Sequence, residues 1–268
     1  MSALGAHASA AAGIFRRDLT VYFSYRWRLG AQYVGVLFSL AVFYYISRLV
    51  RVPAFPTPES YFAFAAVGVI ILQVLQSTLD VPVAVRQELV AGTFERMAVS
   101  PFGPVASVLS LFLFPIASAI VTMLVTLALT ALVFGVDASW SRVPLVVLVA
   151  VVGALALGAI ALLFVAMIVR FKQAPGAAYV LAAISLVAGF YFPATLLPWW
   201  LRWAGDVQPF TPAVDLLRHL LVGQALRASA WADVAKLVGF SAVLLPLGVA
   251  GLALAIDRSR RQGTLTEY

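Results

Sequence analysis

The chain has 268 residues, 63% of them hydrophobic and only 11% charged, with a mean hydropathy of +1.01. Soluble domains run nearer to about 45–50% apolar and about 25% charged, so this chain carries more apolar surface than a soluble fold of its size can bury, and lipid must be its solvent over much of its length. Its net charge of +7 is then a question of which loops hold the charges rather than a nucleic-acid signal, and the absence of cysteine excludes disulfides, thiolate catalysis and thiolate metal sites.

Residues 1–13 are small and almost uncharged, and Arg16 and Arg17 follow with no short apolar core before a cleavage site. No cleavable signal peptide is expected, and the first span should remain in the mature protein. From Ile14 to Arg28 the apolar residues Ile14, Phe15, Leu19, Tyr22 and Phe23 recur at helical spacing, with Arg16, Arg17, Asp18 and Arg26 elsewhere. This predicts a helix lying in the cytoplasmic interface, with a plain extension of the first span as the alternative. The first span is predicted at Gly30 to Ile46, and Pro53, Pro56 and Pro58 break the chain after it.

The second span runs from about Glu59 to Leu79, with Pro82 expected to close it and Asp80 at its cytoplasmic end. A polar helical stretch follows over 83–98, then Ser100, Pro101, Gly103 and Pro104 punctuate before a third span, Val105 to Val136. The fourth span is predicted at Val143 to Val169. After a short loop from Arg170 to Ala174, Pro175 is placed to start the fifth. That fifth segment is apolar from Ala177 to Phe192 but then meets Pro193, Pro198, Trp199, Trp200, Arg202 and Trp203. Residues 189–226 read as short helices dipping into the outer leaflet, a backbone tolerated only where protein or a cavity covers it. The sixth span is predicted from Trp231 to Ile256. The fold class is therefore all-α integral membrane: one permease-like domain with six transmembrane helices, an N-terminal interfacial helix and re-entrant helices between spans five and six.

With both termini on one side, that side holds Arg16, Arg17, Arg26, Arg28, Arg86, Arg96, Arg170, Lys172, Arg258, Arg260 and Arg261, eleven cations against six on the other: Arg48, Arg51, Arg142, Arg202, Arg218 and Arg227. Lys236, near a helix end, can snorkel. Cytoplasmic termini are expected, and the Trp199, Trp200 and Trp203 cluster then belongs at the outer interface.

The stretch between spans two and three reads Arg86-Gln87-Glu88-Leu89-Val90-Ala91-Gly92-Thr93-Phe94-Glu95-Arg96-Met97. It sets charges of both signs beside Leu89, Phe94 and Met97. Such a helix can dock in a partner's groove, or it can be a solvated connector. Here the sequence resembles the membrane subunit of a type-2 ABC exporter, of the group that includes daunorubicin-type and polysaccharide-type permeases. Glu88, Gly92, Thr93, Phe94, Glu95 and Pro101 match the family's motif after its second span, with Phe94 where Leu is commoner. Gly189, Phe192, Pro193, Leu197, Pro198, Pro209, Pro212 and Arg218 match its second mark. The resemblance covers nearly the whole chain.

The resemblance implies that 83–98 is a coupling helix seated in the cleft of a separate ATPase, with Arg86, Glu88, Gly92, Thr93, Glu95 and Arg96 at the contact and Leu89 and Phe94 as apolar anchors. No G-x-x-x-x-G-K-[ST] phosphate loop occurs in the chain. ATP and Mg are expected in the partner, with two ATPase copies and a second permease subunit, the same or homologous. No cofactor, metal, catalytic residue or nucleic-acid partner is expected in this chain.

In the family, spans one, two and five line the path, which directs attention to Phe38, Phe43, Tyr44, Phe64, Gln73, Gln76, Phe190 and Tyr191. An aromatic in a span is as readily packing or lipid contact. Gln73 and Gln76 share one helix face, and amides in lipid need partners, cargo or a neighbouring helix. Gly153, Ala154, Gly158 and Ala161 form a small-residue stripe suited to close helix packing. Asp215, Arg218 and His219 share a face and either form a salt-bridged outer gate or brace the re-entrant segment, and bracing is the expectation.

A membrane hydrolase would need histidines, and only His7 and His219 exist, without H-E-x-x-H or G-x-S-x-G. A secondary transporter driven by an ion gradient would place carboxylates near the midplane, whereas every Asp and Glu here maps to a span end or loop. A non-transporting scaffold is the third rival. The expected cargo is a hydrophobic or amphipathic molecule, a drug, lipid or lipid-linked glycan. The Ala-, Val- and Arg-rich composition suggests a GC-rich bacterium and its inner (plasma) membrane.

Overall fold

In lipid a spanning chain must satisfy its backbone internally, and among the described residues every regular element is helical, with eleven α-helices and no strand. The computed structural model describes residues 3–50, 55–99, 102–172, 177–193 and 196–262. Arg51, Pro53, Ser100, Pro101, Gln173, Ala174 and Pro175 lie outside the described residues, as do the side chains of His7 and Arg28. Five stretches are long and apolar enough to cross a membrane: Leu29–Leu49, Pro58–Val90, Pro104–Phe134, Trp140–Phe171 and Ala230–Arg261.

The first helix, α1 (Ala3–Ser24), stops at Tyr25, whose φ of −103° and ψ of 59° break the run before α2 (Arg26–Leu49). The N-terminal helix and the first span are thus separate elements, and α2 begins earlier than expected. Next, α3 (Pro58–Val90) starts at a reciprocal cap: Ser60 N–H donates to Thr57 Oγ1 at 3.2 Å, and Thr57 N–H to Ser60 Oγ at 3.3 Å. The expected stop at Pro82 does not occur. Pro82 sits inside α3, with Leu79, Val81, Val85 and Leu89 buried on both sides of it. That packing holds the helix through the one backbone bond the proline cannot make.

The stretch 83–98 is consequently not one helix. Its first half is the last two turns of α3, and its second half belongs to α4 (Thr93–Val99). Gly92 makes the reversal between them with φ +68°, a left-handed value that glycine adopts without strain. The predicted third span is likewise divided, into α5 (Pro104–Ser110) and α6 (Leu113–Phe134). Pro115 explains the break, since its ring excludes the carbonyl of Leu111 four residues back.

The helix α7 (Val143–Phe171) is paired along its length with α11 (Ala230–Arg261). Ser241 Oγ approaches the Val152 carbonyl (3.4 Å) and Ser259 Oγ the Val169 carbonyl (3.3 Å), so the two helices run parallel. A Cβ on Gly248 would lie 2.8 Å from the Ala159 carbonyl oxygen. The small residue Gly248 brings these backbones together. Gly153 and Gly158 of the small-residue stripe on α7 face Ala213 and Phe112.

Because α7 and α11 are parallel, the chain between them must return from one end of the bundle to the other. The first described helix in that stretch, α8 (Ala177–Val187), has 11 described residues, which rise only about 16 Å, against a hydrocarbon core of about 30 Å. The described residues make half a crossing and end in turns at Ala188 and Gly189. Beyond it lie α9 (Trp199–Val207) and α10 (Phe210–Val222), the latter packed on α7, α11 and α3.

Candidate functional site

Two places on α3 gather the residues that sequence analysis singles out: the elbow at its C-terminal end and the contact with α10 toward its N-terminal end.

At the elbow, the Ala91 N–H donates to the Gln87 carbonyl (2.9 Å) and the Gly92 N–H to that of Leu89 (3.1 Å), closing the turn into α4. Glu88 ties it from the side. The Thr93 hydroxyl donates to Glu88, within reach of its carboxylate and of its backbone carbonyl at 3.1 Å. Arg17 Nη1 of α1 donates to Glu88 Oε1 at 3.1 Å, and Arg17 also pairs with Asp18 at 2.9 Å. Burial alone would lower the Arg17 pKa. The hydrogen bond and charge of Asp18 and the charge of Glu88 outweigh that, and its pKa is raised above the ordinary arginine value. The same helix is held on the bundle by Phe15 and Tyr22, which pack edge-on against Phe114 at 5.8 and 5.3 Å.

Leu89 and Phe94, expected as anchors toward a partner, are instead buried in this chain's own main core. The physical reason is the elbow's shape. Folding α4 back under α3 points both side chains at the bundle. What remains outside is Arg86, Gln87, Gly92, Glu95 and Arg96, with Val83 and Val90, the latter 63% exposed. Sequence analysis did not single out Val83 and Val90 or the tie from Arg17. The alternation of buried Leu89 with exposed Val90 needed the helix phase of α3, and Arg17 lies 71 residues away.

Nearer the other end, Arg218 of α10 is 2% exposed. Its Nη1 donates to the Gly189 carbonyl at 2.7 Å and its Nη2 to the Phe190 carbonyl at 2.8 Å. Its guanidinium carbon lies 3.5 Å from the centre of the Phe64 ring on α3. Asp215 does not pair with Arg218. It takes Arg227, at 2.6 Å from Nη2 and 2.7 Å from Nε. The His219 ring donates from Nδ1 to the Gln224 carbonyl at 2.9 Å. Asp215 and His219 therefore hold the loop after α10, and Arg218 holds the turn after α8, an arrangement that braces the segment and forms no three-way ion pair. Phe192 and Pro193 are half-buried, and Pro198 is exposed at the start of α9.

The path candidates are dispersed. Phe43 stacks on Tyr191 at 6.2 Å, joining α2 to the turn after α8. Tyr44 meets Phe62 at 5.3 Å and Phe134 at 5.4 Å, and its hydroxyl accepts from Arg48 at 2.6 Å. Phe38 is 70% exposed, beside a groove of about 560 Å³ between α2 and α6 that also takes in Val34, Leu37, Ala41, Tyr44, Tyr45, Val133 and Phe134. Phe190 is buried beneath Arg218. Gln76 is exposed, whereas both amide atoms of Gln73 are shut away from solvent without a partner. Within this chain Gln73 does not make the interhelical bond its chemistry calls for.

These features define a multi-pass, all-helical membrane protein with a charged elbow at one end of α3 and the short helix α8 leading to the α9–α10 segment at the other. The chain matches the family model for ABC-2 family transporter proteins over residues 45–250. No curated protein matches it. The matched region runs from the last turn of α2 into α11 and includes both the elbow and the α10 contact, and the chain belongs to the ABC-2 transporter family. It is a permease, the membrane component of an ABC transporter, and not itself the ATPase.

Proposed function

We propose that the chain forms the translocation path of an ATP-driven exporter, together with a second permease subunit of the same or homologous sequence. Two copies of a separate ATPase, carrying ATP and Mg, supply the energy. The cargo is a hydrophobic or amphipathic molecule: a drug, a lipid or a lipid-linked glycan. The protein sits in a bacterial inner membrane with both termini in the cytoplasm.

The elbow carries this reading. Leu89 and Phe94 fix it to the bundle from within, and Arg86, Glu95, Arg96 and Val90 are left outward. A partner docked there acts on the end of one continuous helix, and nucleotide-driven closure changes the permease only through contacts that differ between its two states. The elbow supplies the contact surface and α3 supplies the lever.

The test is co-purification of the chain from its native membrane, followed by ATPase and transport assays in vesicles. An ATPase subunit should accompany the native chain. Glu95→Arg should insert normally and lose ATP-driven transport. Full ATP-driven transport by that variant would remove the elbow's coupling role, and transport that instead follows an imposed ion gradient would favour a secondary transporter.

A further inference from the structure

We infer that Arg218 is a positioning residue that locks the α9–α10 hairpin to α3, so that the hairpin moves with the elbow as one body. This rests on the exporter reading above for its functional consequence, but its geometry stands by itself.

Arg218 is a buried cation for which no carboxylate lies within ion-pair distance among the described residues, since Asp215 is taken by Arg227. Such a charge is costly in apolar surroundings unless other groups replace water. Here the replacements come from two elements. The Gly189 and Phe190 carbonyls accept its two Nη groups at 2.7 and 2.8 Å, and the Phe64 face covers its plane at 3.5 Å. Its Nε has no hydrogen-bond partner, and beyond these groups only the more distant charge of Asp215 offsets the burial. The clamp is therefore all-or-none, because a half-made version leaves a buried cation with too few acceptors.

The fit extends to α3 itself. A Cβ on Gly68 would lie 1.9 Å from the Phe190 carbonyl oxygen and 2.8 Å from Arg218 Nη2. Only a residue without a side chain lets the turn after α8 press its carbonyl onto α3. Arginine is equally specific, since one planar fork reaches two successive carbonyls while its face stacks on a ring, and an ammonium can do neither as well. Three segments thus meet at one side chain: α10, the end of the half-crossing and α3. The 33 residues of α3, about 50 Å of helix, then continue through Pro82 to Glu88 and the elbow.

The test uses the cysteine-free chain reconstituted with its ATPase. Spin labels go on Glu59→Cys, at the start of α3, and Ala225→Cys, just beyond α10, both exposed positions. With Arg218 intact, the distance between them should be narrow and the same with and without trapped nucleotide. Arg218→Lys keeps the charge and loses the fork. It should broaden that distribution and cut cargo moved per ATP by about tenfold, the equivalent of about 1.4 kcal/mol, with hydrolysis itself retained. Arg218→Met supplies a second variant should the lysine chain fail to assemble. A native label distance that shifts with nucleotide overturns the clamp, whether or not any variant folds. So does a lysine variant with native distances and native cargo per ATP. A native complex that hydrolyses ATP but exports nothing overturns the exporter reading instead, and the label distances then decide the clamp alone.

Discussion

An arginine fastens α3 at each end, and the two fastenings are of opposite kinds. Arg218 is buried, bonded to carbonyls and covered by a ring. Arg17 has nearly half of its side chain exposed and meets a carboxylate at 3.1 Å. A polar tie away from water is stiff because its unmade state is expensive. A tie in water is adjustable, because solvent and salt replace either partner at little cost. The stiff tie holds the α9–α10 hairpin, and the adjustable one sits beside the surface that the proposed ATPase would grip. The neighbouring spans differ in the same way: 72% of the α3 window is buried within the chain against 6% of the α2 window. The helix that would carry force in the proposed exporter is embedded, and the helix beside the groove has its surface open.

The largest effect that would break the contrast comes from Gly68→Val. Its added atoms meet a backbone carbonyl and a buried guanidinium, neither of which has room to move, so the N-terminal half of α3 cannot pack. The variant should fail to yield monodisperse protein in detergent. A well-behaved Gly68→Val chain would mean that the Phe190 carbonyl is not held against α3 at all. At the elbow the corresponding strong element is apolar. Phe94→Ala removes a fully buried ring from beneath the turn and should cost about 3–5 kcal/mol, read as a lower melting temperature together with lost ATPase association. A cost below about 1 kcal/mol would show that Phe94 faces outward in the working protein, as the sequence alone implied.

That last reversal marks where sequence reading stopped. The all-helical membrane class and the positions of most long helices were legible because apolar runs near twenty residues have few alternatives in lipid. The half-length α8 was legible as an anomaly from the prolines and tryptophans that interrupt it. Pro82 misled, because a proline stops a helix only where nothing packs on both sides of it, and the burial of Val81 and Val85 is a tertiary fact. Leu89 and Phe94 were recognised as important and assigned the wrong direction, since the reversal at Gly92 decides which side of the elbow faces the bundle. Arg218 was picked out, but its acceptors are backbone carbonyls, and no residue-type pattern announces those. Its dependence on Gly68 comes from a contact across 150 positions (218 − 68) that no local pattern encodes.

The smallest effect sharpens the comparison most. Arg17→Ala and Glu88→Ala each remove one side of the adjustable tie, and the double variant closes a cycle. Glu88 also serves Thr93, so its single replacement costs more than the ion pair, and only the interaction energy from the cycle isolates the tie. For a pair as exposed as this one that energy should be about 0.2–1 kcal/mol. It should shrink between low and high salt, because the screening length falls from about 30 Å at 0.01 M to about 3 Å at 1 M. Melting temperatures of the four chains at two salt concentrations give both numbers. An interaction well above that range and indifferent to salt would make the elbow tie as stiff as the Arg218 clamp. In that case α1 would be part of the moving lever, and the interfacial helix would have to shift in the membrane with every cycle of the elbow.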